Sequence, residues 1–255
     1  LDAEEEASDE GGKTIKGEGR VEIKNVYFSY DKTRELIKNF NLSVDKGKHV
    51  AIVGPTGCGK TTLINLLMRF YDVDKGEIDV DGTDIQTATR KSLRRSYGMV
   101  LQESWIRKAT VRENLTLGSD ISDEEILKAA KICKSDGFIS RMSKGLDTEI
   151  SDESLSQGEK QLLCITRVML SEPKMLILDE ATSAVDVMTE VKINKAFDLL
   201  MNGKTSFVVA HRLSTIKHAD LILVMKDGNV IDKGTHEELL KKGGFYKDLY
   251  YGSLV

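Results

Sequence analysis

A glycine-rich segment at residues 54–61 carries the side chains best suited to binding phosphate. It follows a short apolar run, Val50–Val53, which is typical of a parallel strand buried on both faces, and it precedes a helical pattern over Thr61–Tyr71. Glycines let backbone N–H groups turn inward around an anion, and a helix starting here directs its positive end at the same point. The pattern predicts a nucleoside triphosphate site, as in kinases, GTPases and helicases. Its residues are Gly54, Pro55, Thr56, Gly57, Cys58, Gly59, Lys60, Thr61 and Thr62.

Within this predicted phosphate loop, Lys60 is expected to reach the β- and γ-phosphates and Thr62 to contact the α-phosphate. The Thr61 hydroxyl is expected to hold Mg²⁺. Asp179 ends the apolar run Met175–Leu178, at the strand end where open α/β sheets place their ligands, and a carboxylate there suits Mg²⁺ through water. Glu180 follows directly on the γ-phosphate side, where phosphoryl transfer depends mostly on positioning and charge.

A third segment, Leu155–Glu159, combines a helix cap with an anion site. Ser156 and Glu159 have the spacing of a capping box, and an apolar helix follows. A capped helix start carries free N–H groups and partial positive charge. Within one chain this helix start is expected to lie too far from Lys60 to serve the same phosphate. Taken alone, the pattern equally fits an ordinary helix cap.

In this order and spacing, the three segments resemble the nucleotide-binding domain of an ATP-binding-cassette (ABC) transporter, from about Val21 to the C-terminus. The resemblance implies that two ATP molecules are buried between two head-to-tail subunits. Each would lie on the phosphate loop of one subunit and under the helix start of the other, which comprises Ser156, Gln157, Gly158 and Glu159. It also implies that Glu180 orients and polarises the attacking water. ATP and Mg²⁺ are the implied cofactors.

The resemblance assigns roles to several further positions. Tyr30 matches an aromatic residue that stacks on adenine, although core packing alone would also explain a tyrosine there. Gln102 matches a glutamine that touches Mg²⁺ or the lytic water and senses the membrane partner. Asp186 ends a loop, Ser183–Asp186, that crosses to the opposite subunit. His211 matches a histidine that contacts the γ-phosphate, whereas a lone histidine at a strand end is more often structural. The implied catalytic set is Glu180, His211, Gln102 and Lys60.

Three features depart from the usual family pattern. Gln157 replaces a glycine and Glu159 replaces a glutamine. The Gln157 variant resembles one half of bacterial heterodimeric exporters, in which one of two ATP sites is weakened, so a heterodimer is somewhat favoured over a homodimer. The loop Thr148–Leu155 is about two residues shorter than usual, and that loop normally touches the membrane domain in exporters.

Alternating strand and helix patterns predict the elements that position these residues. We expect an α/β fold: a P-loop NTPase core with a mostly parallel sheet, an N-terminal antiparallel β subdomain and an inserted α-helical subdomain at about residues 103–170. Asp227-Gly228 predicts a hairpin turn, and Thr235 is expected to cap the last helix. The predicted strands are Val21–Tyr30, Leu42–Val44, Val50–Val53, Glu77–Gly82, Tyr97–Leu101, Met175–Asp179, Ser206–Ala210 and Leu221–Met225.

Bulk properties limit the class of protein. The net charge of −4 is concentrated in Leu1–Gly12, which contains six acids, so the remainder is near +2 and no nucleic-acid partner is expected. Residues 1–18 are expected to form an acidic linker from a membrane domain, with the ATPase domain at 19–255. The initial leucine suggests a fragment or a processed product. The apolar runs are strand-sized, so we expect this chain to be soluble by itself. The three separated cysteines predict neither zinc nor disulfides.

The segment His211–Ile216 resembles exporters, because import ATPases usually place aspartate after this histidine. We therefore expect the ATPase domain of an exporter half-transporter, at the cytoplasmic face of the cell membrane, with a membrane-spanning domain and a second nucleotide-binding domain as partners. Three alternatives stay open: a separate import ATPase subunit, a soluble cassette ATPase acting on DNA ends or ribosomes, and a partner that binds ATP without hydrolysing it. The cargo is not encoded in these residues.

Overall fold

The computed structural model describes residue 9 and residues 11–31, 35–101, 104–179, 185–210 and 213–252, with residues 213 and 214 described by their backbone alone. The strands are β1 (Val21–Phe28), β2 (Ile37–Val44), β3 (His49–Val53), β4 (Lys75–Val80), β5 (Thr83–Asp84), β6 (Tyr97–Val100), β7 (Ala109–Thr110), β8 (Glu149–Ile150), β9 (Met175–Asp179), β10 (Thr205–Val209), β11 (Leu221–Lys226) and β12 (Asn229–Gly234). The α-helices are α1 (Lys60–Leu67), α2 (Arg90–Ser96), α3 (Val111–Thr116), α4 (Asp123–Cys133), α5 (Asp136–Ile139), α6 (Gln157–Leu170), α7 (Val187–Met201), α8 (Leu213–His218), α9 (His236–Lys242) and α10 (Phe245–Gly252).

A six-stranded, mostly parallel sheet forms the centre of the fold, in the order β12-β11-β3-β10-β9-β6. Only the β11–β12 pair is antiparallel among its described strands. Its inner strands β3, β9 and β10 are buried along nearly their whole length, because both faces are covered by helices or by the second sheet. The predicted α/β core with a mostly parallel sheet is confirmed.

The alternation of side chains divides the molecule into layers. On β3, Val50 and Ile52 pack in one cluster with α1 and the antiparallel sheet. Ala51 and Val53 point the other way and pack with α8, α9 and α10. On the same opposite face, β9 and β10 pack against α6 and α7. The helix that carries Lys60 and the helix that Ser156 caps therefore lie on opposite faces of the central sheet.

The predicted antiparallel β subdomain is present as a four-stranded sheet in the order β2-β1-β4-β5. Val21, Ile23, Val26 and Phe28 of β1 are buried toward α1, which explains the alternating pattern of the sequence. Both neighbours of β1 run antiparallel to it. This sheet covers the phosphate-loop side of the core.

The insertion between β6 and β9 is helical, with α3 and α4 packed on α6. It also contains a small antiparallel pair, β7 with β8, which the sequence analysis did not predict. Two-residue strands are too short for alternation to be visible. Within the described ranges, no helix is both long and apolar enough to cross a bilayer.

The chain before β1 is more closely attached than its composition suggested. The carboxylate of Asp81 accepts hydrogen bonds from the backbone N–H groups of Glu18, Gly19 and Arg20, at 2.7, 2.9 and 2.8 Å. Ile15 is buried in the main core, and its N–H donates to the Ser92 hydroxyl. The composition of residues 1–18 predicts only an acidic linker, so these contacts are a structural finding that composition does not reveal.

Two helix boundaries also differ from expectation. The first helix ends at Leu67, not Tyr71, because Arg69 adopts a left-handed conformation with φ of 50°. The Arg69 guanidinium is buried and donates to the carbonyl oxygens of Ile85 and Ala88 at 3.0 and 2.9 Å. Thr235 caps α9 with a capping box as predicted, but α9 is not last, because α10 follows it.

Candidate nucleotide-binding site

The phosphate loop connects β3 to α1 and is supported from behind by the β11–β12 hairpin. Gly54 has φ of 153°, and a Cβ there would lie 2.3 Å from the Met225 carbonyl oxygen. Gly59 caps α1 with φ of 101°, and its Cβ would lie 3.3 Å from Gly228 Cα. The Gly228 N–H in turn donates to the Cys58 carbonyl at 3.0 Å. Both glycines are therefore required by backbone conformation and by close approach, as in a loop shaped around an anion.

The Lys60 side chain is held within this loop. Its ammonium group donates to the Gly54 carbonyl at 2.7 Å and to the Pro55 carbonyl at 3.0 Å. Cys58 is 3 % exposed and packs in the core, whereas Thr61 and residues 55–57 face solvent. The loop thus presents its cation, its hydroxyl and its backbone on one open surface.

Asp179 emerges at the same edge of the sheet as the phosphate loop. Asp179 pairs with Val209 on β10, and Val209 pairs with Ile52 on β3, two residues before Gly54. Parallel strands end at a common edge, so this register aligns the acid with the loop. On the other side of β9, Val100 pairs with Leu178. The predicted catalytic residues Gln102, Glu180 and His211, like residues 183 and 184 of the predicted crossing loop, lie outside the described part of the chain.

The donors near the loop suit a magnesium ion that is held largely by phosphate and water. The Thr61 hydroxyl and the Asp179 carboxylate offer the oxygen ligands that Mg²⁺ prefers. The described ranges contain no group of three or more histidine, cysteine or acidic residues that could hold a metal by themselves. Mg²⁺ commonly keeps several waters and uses one or two protein groups beside substrate phosphates, which matches this donor set.

Tyr30 stands beside the first turn of α1. Its ring is 52 % exposed, and its hydroxyl donates to Thr62 Oγ1 at 3.1 Å. The rings of Phe28 and Tyr71 meet it edge-on or nearly so, with centroids 4.9 and 5.0 Å away. These contacts fix the orientation of an exposed aromatic surface next to the phosphate loop, so Tyr30 can stack on a base.

The capping box at the start of α6 is present as predicted. Ser156 Oγ accepts from the Glu159 N–H at 3.3 Å, while Glu159 Oε2 accepts from the Ser156 N–H at 3.0 Å and from its hydroxyl at 2.9 Å. Arg141 Nη2 lies 3.9 Å from the other carboxylate oxygen of Glu159. The acid that replaces the usual glutamine is therefore directed back at its own helix cap.

The start of α6 lies directly against the start of α7. A Cβ on Gly158 would meet Thr189 Cγ2 at 2.4 Å and Val185 Cγ1 at 3.2 Å. Asp186 caps α7, and its Oδ1 accepts from the Thr189 N–H at 3.0 Å. Hydrogen bonds from the side chain and backbone of Thr189 hold the pKa of the Asp186 carboxyl below its usual range. Asp186, predicted as a nucleotide contact, thus also has a local role as a helix cap.

Four residues contribute to this site although the sequence did not predict them there: Gly228, Met225, Thr189 and Tyr71. Gly228 and Met225 support the phosphate loop, but the Asp-Gly pair indicated only a hairpin. Thr189 contacts Gly158 across two helices, and no pattern in the sequence signals that pair. Tyr71 is predicted to belong to the first helix, but it lies beyond the helix end and packs on the ring of Tyr30.

Fold and site together define a P-loop nucleotide-binding protein of the α/β class. A family model described as "ABC transporter" matches residues 37–183. The chain therefore belongs to the ABC transporter family, as an ATP-binding domain.

Several known proteins are similar to this chain. The uncharacterized ABC transporter ATP-binding protein YfiC of Bacillus subtilis is 48% identical over 98% of this chain and 42% of its own length. A fatty acid ABC transporter ATP-binding/permease protein of Mycobacterium bovis is 45% identical, over 96% and 40%. A putative multidrug export ATP-binding/permease protein of Staphylococcus aureus is 46% identical, over 91% and 41%. The chain thus spans about two-fifths of the length of the curated relatives it matches.

Among solved structures, a bacterial Atm1-family ABC exporter with ATP bound superimposes with a TM-score of 0.87 at 37% identity, over 98% of this chain and 44% of that one. This likeness confirms the fold class at the level of the whole described domain. The Staphylococcus aureus relative and this solved structure are named for export, which agrees with the exporter pattern found in the sequence.

Proposed function

We propose that this chain binds and hydrolyses MgATP, and that hydrolysis drives export of a substrate across a membrane. One observation carries the proposal: the phosphate loop and Asp179 share one edge of the sheet, while the capped start of α6 belongs to a helix on the other face. One chain therefore holds two anion-binding elements in different layers. Two chains arranged head to tail would combine them around each nucleotide.

The residues of the loop have distinct tasks in this proposal. Lys60 exchanges the carbonyl oxygens of Gly54 and Pro55 for the β- and γ-phosphates, which are stronger acceptors because they are charged. Tyr30 stacks on the adenine ring with its orientation fixed by Thr62. These contacts are supported by the geometry of the loop and of the aromatic cluster.

Thr61 and Asp179 would hold Mg²⁺, which supplies charge neutralisation at the phosphates when it is bound. Glu180 orients and polarises the attacking water, and Gln102 and His211 complete the γ-phosphate surroundings. Strands β9, β6 and β10 lead to these three positions and end side by side in the central sheet, which supports their common assignment.

The partners in this proposal are a second nucleotide-binding domain and a membrane-spanning domain. Relatives named ATP-binding/permease proteins, of which this chain spans about two-fifths, support a membrane domain in the same polypeptide. That arrangement would place this domain at the cytoplasmic face of a membrane, with residues 1–18 as the link and residues 19–255 as the ATPase domain. Gln157 favours a heterodimer with a related chain. The name of the Staphylococcus aureus relative and that of the similar solved structure support export over import.

The decisive experiment measures ATP binding, dimerisation and phosphate release for the purified chain and two variants. Lys60→Ala should abolish nucleotide affinity. Glu180→Gln should retain binding, accumulate an ATP-dependent dimer and lower turnover by orders of magnitude. Turnover within twofold of wild type in Glu180→Gln would remove the role given to that carboxylate. Intact binding in Lys60→Ala would contradict the phosphate loop itself.

A further inference from the structure

Gly158 occupies a position where backbone conformation does not require glycine. It is the second residue of α6 and its φ lies outside the left-handed region. Alanine is a better helix former than glycine, so helix propensity also disfavours it. The reason for glycine is instead steric, because an added Cβ would lie 2.4 Å from Thr189 Cγ2. That obstacle belongs to the same chain.

Thr189 cannot easily move away from this contact. Its side chain is branched at Cβ, which restricts its rotamers in a helix. Its backbone N–H donates to Asp186 Oδ1, so it belongs to the capped first turn of α7. Helices α6 and α7 pack against each other and share one buried cluster. Displacing the Thr189 methyl group would therefore displace the turn that carries Asp186.

We propose that Thr189 is a positioning residue: its methyl group rests on Gly158 and fixes the spacing between the Ser156 cap of α6 and the Asp186 cap of α7. The inference rests on the proposed function, in which the α6 cap covers a nucleotide held by a partner chain. When that cap engages phosphate, its displacement is transmitted through Gly158 and Thr189 to residues 185 and 186. Those residues directly precede α7, so the contact connects the borrowed ATP site to the Asp186 cap.

The test is a double-mutant cycle of Gly158→Ala, Thr189→Ala and the combination, made in the Glu180→Gln background for dimerisation and in the wild type for turnover. Removing Cγ2 leaves Thr189 Cβ at 3.4 Å and Val185 Cγ1 at 3.2 Å from the new methyl group, so the remaining contact needs a shift of only a few tenths of an ångström. Val191→Ala, on an exposed part of α7, is the matched control. Thermal midpoint, ATP affinity of the single chain, dimer affinity, kcat and KM are measured for each.

We expect Gly158→Ala to lower the thermal midpoint. It should also lower the affinity of the ATP-dependent dimer by about tenfold or more. Because Gly158 and Thr189 are in contact, the effects of the two substitutions should not be additive. The double variant should regain the thermal midpoint of the wild type, and its dimer affinity should lie within about threefold of the wild-type value. Thr189→Ala alone should lower kcat with KM and single-chain ATP affinity unchanged, because it loosens the link without touching the phosphate loop.

Three results would overturn the inference or part of its basis. Recovery of the thermal midpoint without recovery of the dimer would mean that the new methyl group collides with the partner's nucleotide, which contradicts the positioning role. A thermal midpoint unchanged by Gly158→Ala would contradict the contact itself. If the wild type neither binds ATP nor dimerises, the proposed function fails together with the nucleotide-covering role of the α6 cap, while the thermal cycle still decides whether Thr189 constrains Gly158.

Discussion

Replacing Ser156 by alanine separates the two roles assigned to the start of α6. The first role is local: the hydroxyl accepts from the Glu159 N–H and donates to its carboxylate. Loss of a serine cap costs about 0.5–2 kcal/mol of stability. For a chain of this size, each kcal/mol lowers the thermal midpoint by about 2–4 °C. Ser156→Ala should therefore remain folded and melt a few degrees earlier.

The second role concerns the partner's nucleotide. A hydrogen bond to a charged group contributes about 1.5–3 kcal/mol, and 1.4 kcal/mol corresponds to about a tenfold change in affinity. Ser156 has only one hydroxyl proton, which it gives to Glu159 at 2.9 Å, so contact with phosphate must replace that bond. We therefore expect the lower end, about tenfold per site. A homodimer contains two such sites and would lose about a hundredfold, a heterodimer about tenfold if only this chain is changed.

The chain offers a matched control in Ser122→Ala. Ser122 caps α4 with the same capping box, and its hydroxyl accepts from the Glu125 N–H at 3.3 Å. Both variants should lower the thermal midpoint similarly, but only Ser156→Ala should weaken the dimer in the Glu180→Gln background. Analytical ultracentrifugation with saturating MgATP measures the difference. Equal dimer affinities for the two variants would refute a phosphate-binding role for the α6 cap.

Three further predictions follow from other contacts. Tyr30→Ala should weaken ATP affinity by about 1–3 kcal/mol, the contribution of one base on an aromatic ring, while Tyr30→Phe stays near wild type in an equilibrium binding assay. Arg69→Met should destabilise the fold by about 1–3 kcal/mol, measured by urea unfolding, because the Ala88 carbonyl oxygen loses its buried donor while the Ile85 carbonyl keeps the Ala88 N–H. The hydroxyl and N–H of Ser122 hold the pKa of Glu125 below its usual range, so the folded state binds fewer protons than the unfolded state and stability falls as the pH drops below about 4.3. Glu125→Gln should show a shallower loss of thermal midpoint between neutral and acid pH; an unchanged acid profile would contradict the capping contact.

The features that the sequence predicts correctly depend on local contacts. The phosphate loop and the capping boxes of Ser122, Ser156 and Thr235 each depend on residues a few positions apart, so their spacing is visible in the chain. The buried strands are predicted because each contains a short run of apolar residues. These features establish the fold class and much of the candidate site.

Features that depend on contacts between residues distant in sequence are not predicted. In the sequence, Gly158 is one more glycine of a motif. The structure shows that a larger residue there would collide with Thr189, 31 residues later. The end of α1 depends on Arg69, whose carbonyl acceptors belong to the segment after β5. Such contacts arise only from packing between layers, which no local pattern encodes.

The attachment of the chain ahead of β1 has a mechanical consequence. Three backbone N–H groups of consecutive residues converge on the single carboxylate of Asp81, at the end of β4. Tension that passes the contact of Ile15 with Ser92 is therefore borne next by this carboxylate and by the β4–β5 hairpin, before β1 is loaded. Asp81→Asn would keep the size of the side chain but weaken these three hydrogen bonds. More of the applied force would then reach β1 and the strands that cover α1.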